Sequence, residues 1–166
     1  MNRIELFEIE HLPTYKKHVI NLKKSVSSEL ISCGKPLHSE IVLSQLVMSA
    51  KKEIRICAGN LMEFDTPEVI RSLLYKLDKK DTFIIDILVE NRFPTSFEGH
   101  CRKFKKFSIK LVTNIMYDNF CIIDSRAYRF NSIATFNRPE KALYLIEKFN
   151  IMKDNSVNFD KIKVSI

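Results

Sequence analysis

Residues 3–9 (R-I-E-L-F-E-I) form a short apolar run that reads as a first strand. From Tyr15 the apolar positions Tyr15, Val19, Leu22, Val26 and Leu30 step by three or four, which puts them on one helical stripe. Pro13 suits the first turn of that helix and Cys33-Gly34 its close. A second helix is predicted from about Ser39 to Lys51, with a wide apolar face from Ile41 to Ala50. Glu53–Ala58 then alternates as a strand and ends at Gly59-Asn60. Asp65 or Thr66 can cap a third helix that has Pro67 and Glu68 in its first turn and carries Val69, Ile70, Leu73, Leu74 and Leu77. Thr82–Val89 is nearly all β-branched and aromatic, the pattern of a strand covered on both faces.

The remainder predicts a helix around Phe97–Phe107 and a short strand, Ser108–Val112. Asn119–Asp124 follows as a buried strand, with Ala127–Phe130 as its hairpin partner across Ser125-Arg126. Glu140–Asn150 is a helix, and Lys161–Ile166 alternates as an edge strand. Strands alternating with helices predict an α/β fold, a mixed central sheet flanked by helices. At 166 residues without a low-complexity linker or internal repeat, the chain is expected to form one domain over 1–166.

Composition adds limits. An apolar fraction of 45% suits a globular chain, and no apolar run approaches the ~20 residues of a membrane span. The first ten residues hold acids inside a short apolar stretch and show no cleavage site of a signal peptide, so the expected location is cytoplasmic. Cys33, Cys57, Cys101 and Cys121 form no C-x-x-C pair and read as reduced core thiols. Only His100 beside Cys101 hints at a metal, and no further ligand spacing supports it; neither a metal nor a cofactor is expected. A net charge of +7 favours polyanionic partners.

That charge is most concentrated in His100–Lys110, H-C-R-K-F-K-K-F-S-I-K. Arg102, Lys103, Lys105, Lys106 and Lys110 occur there without an acid and are the candidate ligand-binding residues. Phe104 and Phe107 between them either stack on bases or lie three apart on the buried face of a helix whose lysines are solvated. Lys16-Lys17 and Lys23-Lys24 mark the wet face of the first helix.

The segment Tyr117–Thr135 resembles the phospholipase D superfamily signature, His-x-Lys-x4-Asp followed six residues later by Gly-Ser-x-x-Asn. On that frame Asp124 and Ser132 match. Tyr117 stands at the histidine, Asn119 at the lysine, Asn131 at the glycine and Thr135 at the final asparagine. Ala50–Ile56 is similar to the family's helix-to-strand opening, and Ala134–Asn155 to the helix after the motif. The resemblance thus spans residues 36–155 and implies a phospholipase D-like sandwich.

It also implies a chemistry. In the family, two signature copies meet at one phosphodiester: one histidine attacks phosphorus, the other protonates the leaving oxygen, and the lysines stabilise the phosphoryl oxygens. A single-copy member would assemble both halves as a homodimer. Here the residual motif positions Tyr117, Asn119, Asp124, Ser132 and Thr135 lack both the imidazole and the ammonium. The expectation is a degenerate, non-catalytic member that binds a phosphate-rich ligand, nucleic acid or an anionic head group. Two alternatives stand beside it: an active phosphodiesterase or nuclease using other residues, with Tyr117 as nucleophile, and a protein-interaction subunit. Asp124 either supports a site or caps its hairpin turn.

Overall fold

A computed structural model describes residues 3–79, 82–91, 93–113 and 118–158. The helices are α1 (Arg3–Lys24), α2 (Pro36–Ser49), α3 (Pro67–Asp78), α4 (Ser96–Cys101) and α5 (Pro139–Asp154). The strands are β1 (Ile31–Ser32), β2 (Glu53–Ala58), β3 (Ile84–Val89), β4 (Lys106–Val112), β5 (Phe120–Ile123), β6 (Ala127–Phe130), β7 (Ile133–Thr135) and β8 (Ser156–Asn158). All eight join one sheet in the order β1-β7-β6-β5-β2-β3-β4-β8. Strands β2, β3 and β4 run parallel, joined by α3 and α4, and the other pairings are antiparallel. The mixed sheet flanked by helices is the predicted architecture.

Period-two alternation gives the sheet two buried faces. Ile54, Ile56, Ile85, Ile87, Ile109, Cys121 and Ile123 pack under α2, α3 and α4, with Val19 and Leu22 of α1 completing that layer. Cys57, Leu88, Val112, Phe120, Ile122 and Tyr128 face the other way, against Ala142, Leu145 and Phe149 of α5. Helix α2 is buried along the whole run Ile41–Val47, so it sits in the middle of its layer. Helix α5 is also tied to the sheet by an ion pair between Lys153 and Asp86.

Three sequence expectations are corrected. Residues 3–9 are helical, continuous with α1, and Pro13 lies inside that helix. A short apolar run fits either period, and Pro13, which marks a helix start in sequence, is instead accommodated within the helix. Helix α1 also ends early, at Lys24, and not at Cys33-Gly34. Ser27 N–H donates to Leu22 O at 3.0 Å and Val26 N–H to Lys23 O at 3.1 Å, a Schellman closure with Val26 at φ 50°. Finally, the helix expected over Phe97–Phe107 stops at Cys101, and Lys106 already begins β4. Phe107, Ile109 and Leu111 carry a period of two, and that longer pattern overrides the Phe104–Phe107 spacing of three.

Three short strands, β1, β7 and β8, were not anticipated. At Gly34, just past β1, a Cβ would lie 3.2 Å from Ser132 Cβ, a tight contact that glycine avoids. The predicted strand Lys161–Ile166 lies outside the described residues.

Candidate functional site

The frame positions divide between the two ends of β5. Asn119 precedes the strand and Asp124 follows it, five residues or roughly 17 Å apart at strand rise. They do not meet at a single point. Tyr117 lies outside the described residues.

At the Asn119 end, polar groups are bonded to one another. Asn119 Oδ1 accepts from Gly59 N–H at 3.1 Å, which latches the start of β5 to the end of β2. Asn119 N–H donates to Asn131 Oδ1 at 3.1 Å, and Asn131 N–H donates to Asn119 O at 2.8 Å. Asn131 Nδ2 donates to Asp118 Oδ1 at 3.3 Å, and Lys148 Nζ of α5 to Asp118 Oδ2 at 2.8 Å. The bonds from Lys148 and Asn131 hold the Asp118 carboxyl below its ordinary range. Asn131 sits at φ 49°, a left-handed conformation that asparagine tolerates, so it can stand where the frame has glycine.

Beneath Asn119 the interior leaves a void of only about 10 Å³, bordered by Glu63, Arg129 and Cys121. That is at most room for a single water. Glu63 and Arg129 form an ion pair there, and Ser39 Oγ donates to Glu63 Oε1 at 2.8 Å. Burial pushes the Glu63 carboxyl upward, but the Arg129 bond and charge and the Ser39 hydroxyl outweigh it, leaving the group below its usual value. Burial pushes up all four cysteine thiols, Cys57 and Cys121 to about 12, so none is a ready thiolate. Among the described residues no three His, Cys, Asp or Glu side chains cluster as a metal site.

At the other end of β5, Asp124 has a different task. Its Oδ1 accepts from Lys52 N–H at 2.7 Å and Glu53 N–H at 3.0 Å, and its Oδ2 from Lys51 N–H at 2.9 Å. The carboxylate therefore reaches beyond its own hairpin and brackets the turn between α2 and β2. Thr135 is fully buried; its hydroxyl donates to Ser27 O and accepts from Asn137 N–H, both at 3.4 Å. Ser132 is exposed, and its carbonyl accepts from Cys33 N–H at 2.8 Å.

The basic stretch is split by the same geometry. Phe104 is buried against Phe83, ring centroids 4.9 Å apart, and Phe107 packs partly buried on the core. Neither ring is free to stack on bases. The Arg102 guanidinium covers the Phe107 ring at 5.3 Å and pairs with Glu98 at 3.0 Å. Lys110 lies four residues along β4 from Lys106, about 13 Å away.

Lys103, Lys105 and Lys106 remain together at the start of β4, all exposed. The register Glu53↔Ile84↔Lys106 aligns the starts of the three parallel strands, so Lys51 and Lys52 lie on the same sheet edge. The edge continues past Asp124 to Arg126 at the hairpin tip and to Arg138, whose N–H donates to Arg126 O at 2.8 Å. Among the described residues the side chains of Lys51, Lys52, Lys105, Lys106 and Arg126 make no hydrogen bond or ion pair. Of the acids here, Glu53 pairs with Arg55 and accepts from Ser125 Oγ, and Asp124 is bonded as above. Sequence reading missed Lys51, Lys52, Arg126 and Arg138 because strand register alone unites them with the β4 lysines.

No protein-family model matches the chain, and no curated protein matches it in sequence. Solved structures do. Nuc from Salmonella typhimurium, a phospholipase D family member, superposes with a TM-score of 0.55 at 16% identity, covering 72% of this chain and 89% of Nuc. NucT from Helicobacter pylori gives 0.59 at 14% identity, covering 79% and 98%. TrmBL2, an archaeal chromatin protein with a novel mode of DNA binding, gives 0.56 at 13% identity, covering 94% of this chain and 66% of its own. The chain has the phospholipase D-like fold. No described helix is long and apolar enough to cross a membrane.

Proposed function

We propose that this protein is a non-catalytic phospholipase D-like protein that binds nucleic acid along the basic edge of its sheet. The observation that carries this reading is the alignment of Lys51, Lys52, Lys103, Lys105, Lys106, Arg126 and Arg138 on one edge. Four separate segments supply these cations, and most of them are not consumed by internal pairs. Lys103 meets His100 Nδ1 at 3.3 Å and Arg138 is bonded to Ser28 O, and the other five cations leave a row that suits a phosphate backbone, which rewards charge and asks for no base-specific donor. The fold it shares with a chromatin protein that binds DNA is in keeping with this reading.

Loss of catalysis is supported by the motif end. Tyr117 and Asn119 stand where the family's histidine and lysine belong, and the Asn119 side chain is occupied by Gly59 N–H. The Asp118 carboxylate neutralises Lys148.

Fluorescence anisotropy with duplex DNA over a range of salt concentrations tests the proposal. If about four phosphates are engaged, log affinity falls against log salt with a slope near −3.6. The reversal Lys103→Glu, Lys105→Glu, Lys106→Glu weakens binding to every sequence alike and flattens that slope. Unchanged affinity in the triple variant would sink the nucleic-acid reading and favour a protein partner. Turnover of a phosphodiester that disappears in Tyr117→Phe would instead establish an active enzyme. Sedimentation of the same samples reads whether two copies pair, as the family resemblance implies.

A further inference from the structure

Between β6 and the start of α5 lies an open cavity of about 510 Å³, lined by Tyr128, Asn137, Arg138, Pro139, Glu140 and Lys141. It adjoins the basic edge through Arg138, but its other lining residues belong neither to that edge nor to the motif positions.

The Tyr128 side chain is only 5% exposed and packs in the core with Ile122, Ala142 and Leu145. Among the described residues no group hydrogen-bonds its hydroxyl, although the residue lines the cavity. The ring is buried but its O–H is not one of the sealed, unpaired polar atoms, so water in the cavity can meet it and a ligand acceptor can take that water's place. Here the hydroxyl is presented to open space beside a helix start.

That start supplies more donors. Helix α5 is 16 residues long, begins with Pro139, and has no side-chain cap from Arg138. Ala142 N–H already donates to Arg138 O at 3.1 Å, and proline has no N–H. The N–H groups of Glu140 and Lys141 are therefore the first-turn donors without an acceptor in the helix, at its partially positive end. The Lys141 ammonium stands near the rim, 4.9 Å from the Phe130 ring centre and 4.6 Å from that of Tyr144. Arg138 is fixed beside it by donation from Nε to Ser28 O at 2.8 Å. Glu140, the acid of the lining, is exposed and free to turn to solvent.

Two backbone N–H groups, a phenol O–H and an ammonium form a set of donors suited to an acceptor-only oxyanion. The volume greatly exceeds a lone tetrahedral ion and falls in the range of small-ligand pockets. We propose that this cavity binds a phosphate monoester, with the phosphoryl group held between Tyr128 Oη and the α5 N-terminus. The group comes either from a nucleic-acid end or from a free small phosphomonoester. The site shares Arg138 with the basic edge, but its proposed donors, Tyr128, Lys141 and the α5 N–H groups, do not belong to that edge and can be tested separately.

The test titrates the full chain calorimetrically with inorganic phosphate, with AMP, and with 5′-phosphorylated and 5′-hydroxyl forms of one oligonucleotide. Phosphate and AMP are expected to bind, and Tyr128→Phe to weaken them about tenfold, as loss of a bond to a charged acceptor does. The melting temperature should not move, because the lost hydroxyl has no protein partner. Lys141→Gln weakens and Glu140→Gln tightens the same binding. A 5′-phosphate preference that Tyr128→Phe abolishes, with 5′-hydroxyl binding unchanged, assigns the nucleic-acid end. AMP binding without such a preference assigns a free phosphomonoester. The proposal is overturned if no phosphate-bearing probe binds beyond the 5′-hydroxyl control, or if Tyr128→Phe leaves affinity for the probes intact.

Discussion

Asp124 gives the sharpest test of whether the residual motif serves the fold. Its carboxylate collects three backbone N–H groups from Lys51, Lys52 and Glu53, two at exposed positions and one half-buried. Water can replace the exposed pair, so each is worth about 0.5 kcal/mol, while the half-buried, charge-assisted bond is worth about 1.5. Removing the carboxylate therefore costs about 2.5 kcal/mol. Asp124 also sits at φ 52°, where alanine pays roughly 1 kcal/mol that glycine does not. Asn keeps one acceptor oxygen and tolerates that φ, so its loss is about 1 kcal/mol. The expected order of destabilisation is Asp124→Ala, then Asp124→Gly, then Asp124→Asn. In a chain of this length each kcal/mol moves the melting temperature by about 2–4 °C, so Asp124→Ala should melt roughly 7–14 °C lower. Urea denaturation at neutral pH supplies the free energies, provided the m-values agree. If Asp124→Ala lies within about 0.5 kcal/mol of wild type, the bracket is not a stabilising element. The aspartate would then be open to a role at a ligand site.

Other perturbations probe separate parts of the fold. Glu63→Gln strands the Arg129 guanidinium in the interior, where it has one-ninth of its side chain exposed; a loss of about 2–3 kcal/mol is expected, the usual figure for a broken buried pair reduced for the partial exposure of Glu63. Arg129→Met, which removes the costlier charge and fills the space, should lose less, and the opposite order in urea melts would refute that ranking. The depressed Glu63 carboxyl contributes stability that is fully present above about pH 5 and is lost as pH falls through its folded value. Asp118 has the same sign through Lys148 and Asn131. Melting temperature followed from pH 7 to 3 should consequently fall less steeply in Glu63→Gln than in wild type; parallel curves would contradict the assignment. Val26 adopts φ 50° at an exposed helix end, so Val26→Gly should stabilise by about 0.5–1 kcal/mol, and a destabilised variant would show that its side-chain packing outweighs the strain.

The parts of the fold that were legible in sequence are those where one period runs unbroken. Glu53–Ala58 is a strand as read, and Thr82–Val89 is one from Ile84 onward, because β-branched runs bounded by polar residues admit little else. The Pro67 helix starts where Pro67 places it, although neither expected cap forms: the Thr66 hydroxyl makes no cap bond and Asp65 Oδ1 accepts from Phe97 N–H instead. What failed was local and has local causes. The end of α1 carries valine where glycine would have announced a left-handed cap. The β4 lysines follow phenylalanines spaced for a helix, while the strand pattern is visible only further along the chain. Strands β1, β7 and β8 have two or three residues each, too few to express a period. The basic edge was illegible for another reason: Lys51 and Lys106 become neighbours only through the β2–β3–β4 register, which no local pattern encodes.

That contrast bears on what the signature frame means here. Asp124, which still fits it, and Asn131 and Thr135, which replace its glycine and final asparagine, are positions the fold uses. Asp124 brackets the α2–β2 turn, and the glycine position holds Asn131, one of the few residues content at φ 49°. Two of the departures, Tyr117 and Asn119, fall where the family role is chemical. In place of a lysine side chain reaching for a phosphoryl oxygen, Asn119 joins two strand ends through Gly59 N–H. Spacing can therefore persist under folding constraints alone, because shifting Asp124 by one residue along β5 would turn its carboxylate to the opposite face of the sheet. Retained spacing is evidence of architecture, and evidence of activity must come from the groups themselves. Among the described residues, the cations of the basic edge and the first-turn N–H donors of α5 face solvent at the other end of the sheet, beyond Asp124.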